Sequence, residues 1–333
     1  MKLALICFTG RGQDLAQRIK LESTHQVDLF INSQIDGGVR PLIEGLWQDY
    51  EGLVFISSTG IAVRYIAAYL KDKKTDPAVV VIDDMGSFVI SLVSGHLGGA
   101  NGLSRDLAGA IGAQAVVTTA SDARGFQSLD LFCKDKDYEV EDWKSLTSLS
   151  GLMVNGKKLG FYSEEGTIPD YQNLILLESL EDLDREIEGL IVVSTRLLQL
   201  PSHLPSVILR PRRFNLGIGS RRGVEAQKVT EAIEGLFLEG GISTKSLKAM
   251  ATVEVKADEE GIIEAAQQFG VDLKIFSLEE IAKVEHLFEG SDFVKKTIGV
   301  YSVSEPCAHL LGGSLIRRKV RRDGITLSLS KEE

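Results

Sequence analysis

The sequence predicts an α/β protein with an N-terminal, mostly parallel sheet domain, a small middle α/β domain and a C-terminal α/β domain. Three observations point there. Short apolar runs alternate with helical patterns over the first third of the chain. From about 136 to 212 such runs persist, separated by acidic, polar stretches. From Phe214 the alternation of strand and helix begins again. A chain of 333 residues suits two or three domains of roughly 100–200 residues each. The expected domains are 1–135, 136–212 and 213–333.

In the first domain Leu3 to Phe8 reads as a buried strand, and Gly10-Arg11-Gly12 turns it into a helix near Gln13–Leu21. Val27 to Ile31 and Leu53 to Ser57 are further strands. Val63, Ile66, Ala67 and Leu70 recur at helical spacing. The strands Val79–Ile82 and Phe88–Val93 follow. Leu103, Leu107 and Ile111 then mark a helix, and Ala115 to Thr118 another strand. Apolar strands alternating with helices imply a mostly parallel sheet covered on both faces.

The middle segment offers the strands Lys158–Tyr162, Leu174–Leu177, Leu190–Ser194 and Val207–Leu209. Its run Glu178 to Glu188 is strongly acidic, and Pro201, Pro205 and Pro211 suggest that it ends in irregular chain. In the last segment Leu216-Gly217-Ile218-Gly219 is a strand entering a glycine turn. A helix follows with Val229, Ala232, Ile233, Leu236 and Phe237 on one face. Thr252–Val255 and Leu273–Phe276 are strands flanking a helix at Ile262, Ile263 and Ala266.

Composition narrows the function. Hydrophobic residues are 44% and charged residues 25%, which excludes wholesale disorder. A formal net charge of -10 disfavours a general nucleic-acid binder. Two basic clusters stand out: Arg210, Arg212, Arg213, Arg221, Arg222, and then Arg317, Arg318, Lys319, Arg321, Arg322. Either is ordinary surface charge or a grip on an anionic small molecule. Cys7, Cys133 and Cys307 are odd in number and widely spaced, so neither a disulfide framework nor a cysteine zinc site is indicated. The first apolar run ends at Phe8, too short for a signal-peptide core. No stretch approaches the roughly 20 apolar residues that span a bilayer. A cytoplasmic protein is expected.

The densest motif is Ser94-Gly95-His96-Leu97-Gly98-Gly99-Ala100-Asn101, between a strand and a helix. Glycines there let a ligand approach the backbone, and free N–H groups at the helix start favour anions. His96 can act as a general acid or base. The plain alternative is a tight turn capped by Ser94 or Asn101. Ser57-Ser58-Thr59-Gly60, with Arg64 beyond, and Thr118 to Gly125, with Ser121, Asp122 and Arg124, also follow strands. Ligands in parallel sheets bind at strand carboxyl ends, so the three segments are expected to share one crevice. As the plain reading, Ser, Thr and Asp are also common helix caps.

Gly10-Arg11-Gly12 and Gly217-Ile218-Gly219 each start a dinucleotide fingerprint, but Leu15 and Arg222 stand at the third glycine position. A nicotinamide enzyme is thereby disfavoured. His25, His96, His203, His286 and His309 show no metal-ligand spacing.

Taken in order, Thr59–Arg64, Lys74-Thr75-Asp76-Pro77-Ala78-Val79-Val80, Ser94–Asn101 and Thr118–Gly125 resemble the CbiG family, the cobalt-precorrin-5A hydrolases. So do Leu216–Gly223, Ala251–Glu259 and Ser302-Val303-Ser304-Glu305-Pro306. Ser220 departs from the family, which often has cysteine there, so a cysteine mechanism at that position is not expected. The resemblance implies a cobalt-containing macrocycle rich in carboxylates, whose δ-lactone is opened by water and whose extruded two-carbon unit leaves as acetaldehyde. It implies no cofactor of the protein itself, because cobalt arrives within the substrate. It also implies transient contact with other enzymes of the pathway, while the net charge and the short apolar runs point to neither nucleic acid nor membrane as partner. On that reading His96, Asp122 and Arg64 are catalytic. Thr59, Gly60, Ser94, Gly95, Gly98, Gly99, Asn101, Ser121 and Arg124 bind substrate, with Gly219, Ser220, Arg221 and Arg222 from the last domain. A non-catalytic tetrapyrrole carrier would keep the arginines without needing His96 or Asp122.

Overall fold

The computed structural model of the chain describes residues 1–181, 183 and 186–333. Positions 182, 184 and 185 of the acidic run 178–188 lie outside the described residues. The chain divides into two compact units, Met1–Lys134 with Pro169–Tyr171, and Asp135–Ile168 with Gln172–Glu333.

The first unit runs β1 (Lys2–Cys7), α1 (Gly10–Glu22), β2 (Gln26–Ile31), α2 (Ile43–Asp49), β3 (Gly52–Ile56), α3 (Thr59–Ile66), β4 (Ala78–Ile82), β5 (Phe88–Val93), α4 (Ala100–Ile111), β6 (Gln114–Val116), α5 (Ala120–Arg124) and α6 (Leu129–Asp135). Its strands form one sheet in the order β2-β1-β3-β4-β5-β6. Successive strand side chains point to opposite faces, so an apolar strand feeds two cores at once. Leu3, Leu5 and Cys7 join Ala16, Ile19, Leu103 and Leu107 of α1 and α4. Ala4, Ile6, Leu53 and Phe55 join Ile43, Leu46, Ala62 and Ile66 of α2 and α3 on the other face.

Two strands, β5 and β6, depart from the parallel expectation, and the reversal matters for the site. β5 pairs antiparallel with β4, while β6 pairs parallel with β5. The residues between β4 and β5 are Asp83 to Ser87, and a parallel crossover needs a dozen or more. Asp83 accepts hydrogen bonds from the N–H groups of Met85, Ser87 and Phe88, which closes the chain into a hairpin.

In the second unit β7 (Tyr138–Val140), α7 (Trp143–Val154), β8 (Leu159–Ser163), β9 (Leu174–Leu176), β10 (Gly189–Val193) and β11 (Ser206–Pro211) come first. They build a sheet ordered β7-β11-β10-β8-β9, parallel except for β7. Pro211 thus closes a strand where irregular chain was expected. It pairs with Tyr138 at the end of the β7–β11 ladder. The first arginine cluster is held within this unit. Arg210, 1% exposed, meets Glu141 at 2.7 Å, Arg212 meets Glu139 at 2.7 Å and Arg213 meets Glu165 at 2.8 Å.

The unit continues through β12 (Phe214–Ser220), α8 (Ala226–Glu239), β13 (Leu247–Val253), α9 (Glu260–Phe269), β14 (Asp272–Phe276), α10 (Leu278–Val284), α11 (Asp292–Ile298), α12 (Ser304–Leu311), β15 (Ser314–Arg322) and β16 (Ile325–Lys331). The sheet order is β14-β13-β12-β16-β15. α8 and α9 cover one face, and α12 packs on the other. Gly217 is needed there: a Cβ would overlap Ser304 O and lie 2.6 Å from Ala308 N. The second basic cluster is the edge strand β15. It turns into β16 at Asp323-Gly324, with φ of 47° and 84°, the left-handed pair that a tight hairpin demands. Among the described residues no helix is long and apolar enough to cross a membrane.

Candidate active site

The reversal of β5 sorts the predicted site residues into two groups. Ile56 at the end of β3 pairs with Ile82, and Ile82 pairs with Val89 near the start of β5. Val93 at the end of β5 instead lies beside Val79 at the start of β4. The segments after β5 and β6 therefore share one end of the sheet. Thr59, Gly60 and Arg64 lie at the other end, and the expected three-way convergence does not form. Arg64 is exposed and donates to its own helix, at Gly60 O, 3.1 Å away.

At the shared end the chain leaves β5 through Ser94, whose φ of 58° is left-handed, and enters α4 from Gly99 at φ 88°. Ala100 N donates to Ser94 O at 3.1 Å and Asn101 N to Gly95 O at 3.0 Å. Two N–H groups expected to be free for an anion are thus used inside the loop. The glycines are also packed. A Cβ on Gly98 would overlap Ser94 Cβ and lie 2.9 Å from Ser94 O. On Gly95 it would lie 2.6 Å from Asn101 Oδ1. These two glycines let the loop fold on itself, which corrects the expectation that they leave room for a ligand. The loop also rims a cleft of about 360 Å³ shared with Tyr50, Asp76 and Lys134. Lys134 Nζ donates to Leu97 O at 2.7 Å.

His96 is held from both sides of its ring. Nε2 lies 3.0 Å from Ser121 Oγ and 3.2 Å from Asp122 Oδ2. Nδ1 lies 3.4 Å from Asp130 Oδ1. Asp122 is itself fixed: Oδ2 accepts from Asn101 Nδ2 at 2.9 Å and Thr119 Oγ1 at 2.5 Å, and Oδ1 accepts from Arg105. Asn101, 4% exposed, also takes a 2.7 Å hydrogen bond from Ser91 at Oδ1. A single polar network thus ties β5, α4, α5 and α6 together.

The charges follow from this geometry. The hydrogen bond to Asp130 raises the pKa of His96 above its ordinary value, burial opposes it, and Asp122 adds to the rise. Burial pushes Asp130 up, but the facing His96 imidazole and the nearby Lys73 outweigh it, and its pKa falls to about 2. Burial likewise pushes Asp122 up, and Thr119, Arg105 and His96 together hold it below the usual carboxylate range. The two carboxylates stabilise the imidazolium that forms when the ring takes up a proton.

His96, Asp122, Ser94, Gly95, Gly98, Gly99, Asn101 and Ser121 are therefore brought together. Arg124 is exposed on the last turn of α5. Sequence reasoning missed Asp130, Arg105, Thr119 and Lys134 as site residues. Arg105 carried a signal, since it stands four residues after Asn101 on one helix face. Asp130 carried none: an acid in the first turn of a helix is ordinary.

Gly219, Ser220, Arg221 and Arg222 belong to the second unit. A Cβ on Gly219 would lie 2.8 Å from Thr326 Oγ1. Ser220 Oγ is buried without a hydrogen-bond partner. Arg221 N donates to Gly324 O at 3.1 Å. Arg222 pairs with Asp258 at 3.3 Å and with Val255 O at 3.3 Å. Beside it a cleft of about 750 Å³ is lined by Glu225, Asp258, Glu259, Glu260 and Glu264. Such a cleft repels a polyanion, so Arg222 is placed to satisfy neighbouring acids.

Three family models match the chain in order. Residues 41–122 match the N-terminal model of cobalamin synthesis G, 127–211 the cobalamin biosynthesis central region, and 214–330 the C-terminal model of cobalamin synthesis G. A protein of Priestia megaterium named cobalt-precorrin-5A hydrolase is 35% identical, with 98% of this chain and 94% of that one covered. One of the same name from Salmonella typhimurium strain LT2 is 36% identical, covering 98% and 97%. The chain belongs to the CbiG family. Within the family's layout, His96, Ser121 and Asp122 fall in the N-terminal match and Asp130 in the central one. The His96 cluster thus draws on two CbiG family segments that a reading of either alone would separate.

Proposed function

We propose that the chain hydrolyses cobalt-precorrin-5A, opening the lactone of the macrocycle and releasing acetaldehyde. What carries the reading is likeness along 98% of the chain to two proteins of that name. The His96 cluster supports it with the groups that such chemistry needs. Lactone opening requires a base where a hydroxyl is deprotonated and an acid where the alkoxide leaves. Release of the two-carbon unit as acetaldehyde requires a proton on the carbon left behind. An imidazole between carboxylates can take up and return a proton and keeps its orientation while doing so. Asp122, anchored by Thr119, Asn101 and Arg105, holds that ring and stabilises its cationic form. Cobalt enters as part of the substrate. A carrier would have no use for this network.

The test is an anaerobic incubation with the cobalt-precorrin lactone and an assay for acetaldehyde, without added nicotinamide, flavin or metal. Acetaldehyde should appear in proportion to lactone consumed. His96→Asn should slow turnover by roughly 10²–10⁴-fold while leaving the protein folded. A folded His96→Asn variant with near-normal turnover would remove His96 from the chemistry.

A further inference from the structure

Ser121, His96 and Asp130 stand in the arrangement of a nucleophile, its base and the acid that orients the base. Ser121 Oγ is 3.0 Å from Nε2, within the range for such a pair. Asp130 Oδ1 faces Nδ1 of the same ring at 3.4 Å. The ring has two nitrogens, and their neighbours decide what it can deprotonate. Nδ1 faces a carboxylate. Nε2 faces a carboxylate, Asp122, and one hydroxyl, that of Ser121. Of these neighbours Ser121 alone brings a proton for a base to remove. The nearby Thr119 hydroxyl is not equivalent, because it donates to Asp122 Oδ2. Ser121 is the second residue of the short helix α5, and its main chain is held by Phe126 N donating to Ser121 O at 3.2 Å.

We propose that Ser121 is the nucleophile of the lactone opening, with His96 as its base and Asp130 as the residue that positions the ring. The proposal rests on the hydrolase reading above and deepens it. Ser121 Oγ attacks the lactone carbonyl carbon while its proton passes to Nε2. The tetrahedral centre collapses, the ring C–O bond breaks, and the departing alkoxide takes the proton from Nε2. A serine ester and a free alcohol result. Water then attacks the ester, its proton passing through Nε2 to Ser121 Oγ, and a carboxylic acid is released. The sum is lactone plus water, with no oxidant or reductant. Ser121 is 5% exposed, whereas the His96 and Asp122 side chains are 21% exposed. The carbonyl must therefore approach from the side that these two share.

Two readouts test this. In an acid-quenched single turnover with the cobalt-precorrin lactone, intact-protein mass should show the acyl group on wild type and none on Ser121→Ala. Turnover of Ser121→Ala should fall on the order of 10³-fold or more. Ser121→Cys should retain an adduct as a thioester, which covers a Ser121→Ala variant that does not fold. Separately, an alkyl fluorophosphonate should label Ser121 in wild type and not in His96→Gln. Turnover of folded Ser121→Ala within tenfold of wild type would overturn the proposal, as would absence of fluorophosphonate labelling at Ser121. Wild type that releases no acetaldehyde would instead sink the hydrolase reading, while the labelling experiment would still report whether His96 activates Ser121.

Discussion

At the scale of residues, the pH behaviour of His96 depends on its two carboxylates. Its folded pKa is raised, chiefly by Asp130. The stabilisation this gives is complete below the ordinary imidazole value of about 6.5 and is lost as pH rises through the raised value. Asp130 has the opposite sign. With a folded pKa of about 2, its stabilisation is present above the usual carboxylate value and is lost as pH falls toward 2. Charges facing the ring also include Asp122 with its partner Arg105, and Lys73 lies 3.7 Å from Asp130. Asp130→Asn should therefore lower the titration midpoint of His96 toward the ordinary value, read by NMR of the ring carbons. If His96 is a base, the rising limb of kcat/KM should move to lower pH with it. A midpoint unmoved by the substitution would show that Asp130 does not hold the ring.

At the scale of elements, the loop from β5 to α4 and the helix behind it respond differently to one added methyl group. Gly98 has no space for a Cβ beside Ser94, so Gly98→Ala must displace the loop that carries His96. Turnover should fall, and stability should drop by an amount typical of overpacking, about 1–3 kcal/mol, which lowers the unfolding temperature. Gly109 is exposed on α4 with open space around its Cβ position. Gly109→Ala should stabilise the chain by up to about 1 kcal/mol and leave turnover alone. Thermal unfolding and acetaldehyde release on both variants check the pair. Equal effects would mean that the loop tolerates a side chain at 98.

Elements were legible where apolar runs were continuous. Val79–Ile82, buried throughout, and Phe88–Val93, mostly half-buried, were placed from those runs alone and match β4 and β5 closely. The hairpin of β15 and β16 was not read, because charged side chains along Arg317–Arg322 hid an edge strand whose outward face is solvated. Its turn signal, Asp323-Gly324, was present.

At the scale of the whole molecule, the second compact unit continues across the boundary expected at 212. Leu197 N donates to Gly241 O at 2.8 Å, Ser243 N to Thr195 O at 2.9 Å, and Lys245 Nζ to Glu141 O at 2.9 Å. A fragment of residues 135–333 should unfold in one cooperative transition, at a higher temperature than a fragment of 214–333. Circular dichroism melts of the two fragments check this. Equal midpoints would show that the contacts between the two sheets of this unit carry no stability.

The sequence by itself determined the α/β class, the main alternation of strands and helices in the first segment, the loop bearing His96 and the family. All of these rest on local patterns of apolar spacing and on short motifs read in order. Tertiary structure alone decided which motifs meet. Strand direction is a property of pairing, and the antiparallel return of β5 removed Thr59, Gly60 and Arg64 from the His96 cluster. Asp130 entered that cluster from thirty-four residues beyond His96 in the chain. A carboxylate in a helix's first turn looks the same in sequence whether it faces water or an imidazole; only packing gives it a neighbour.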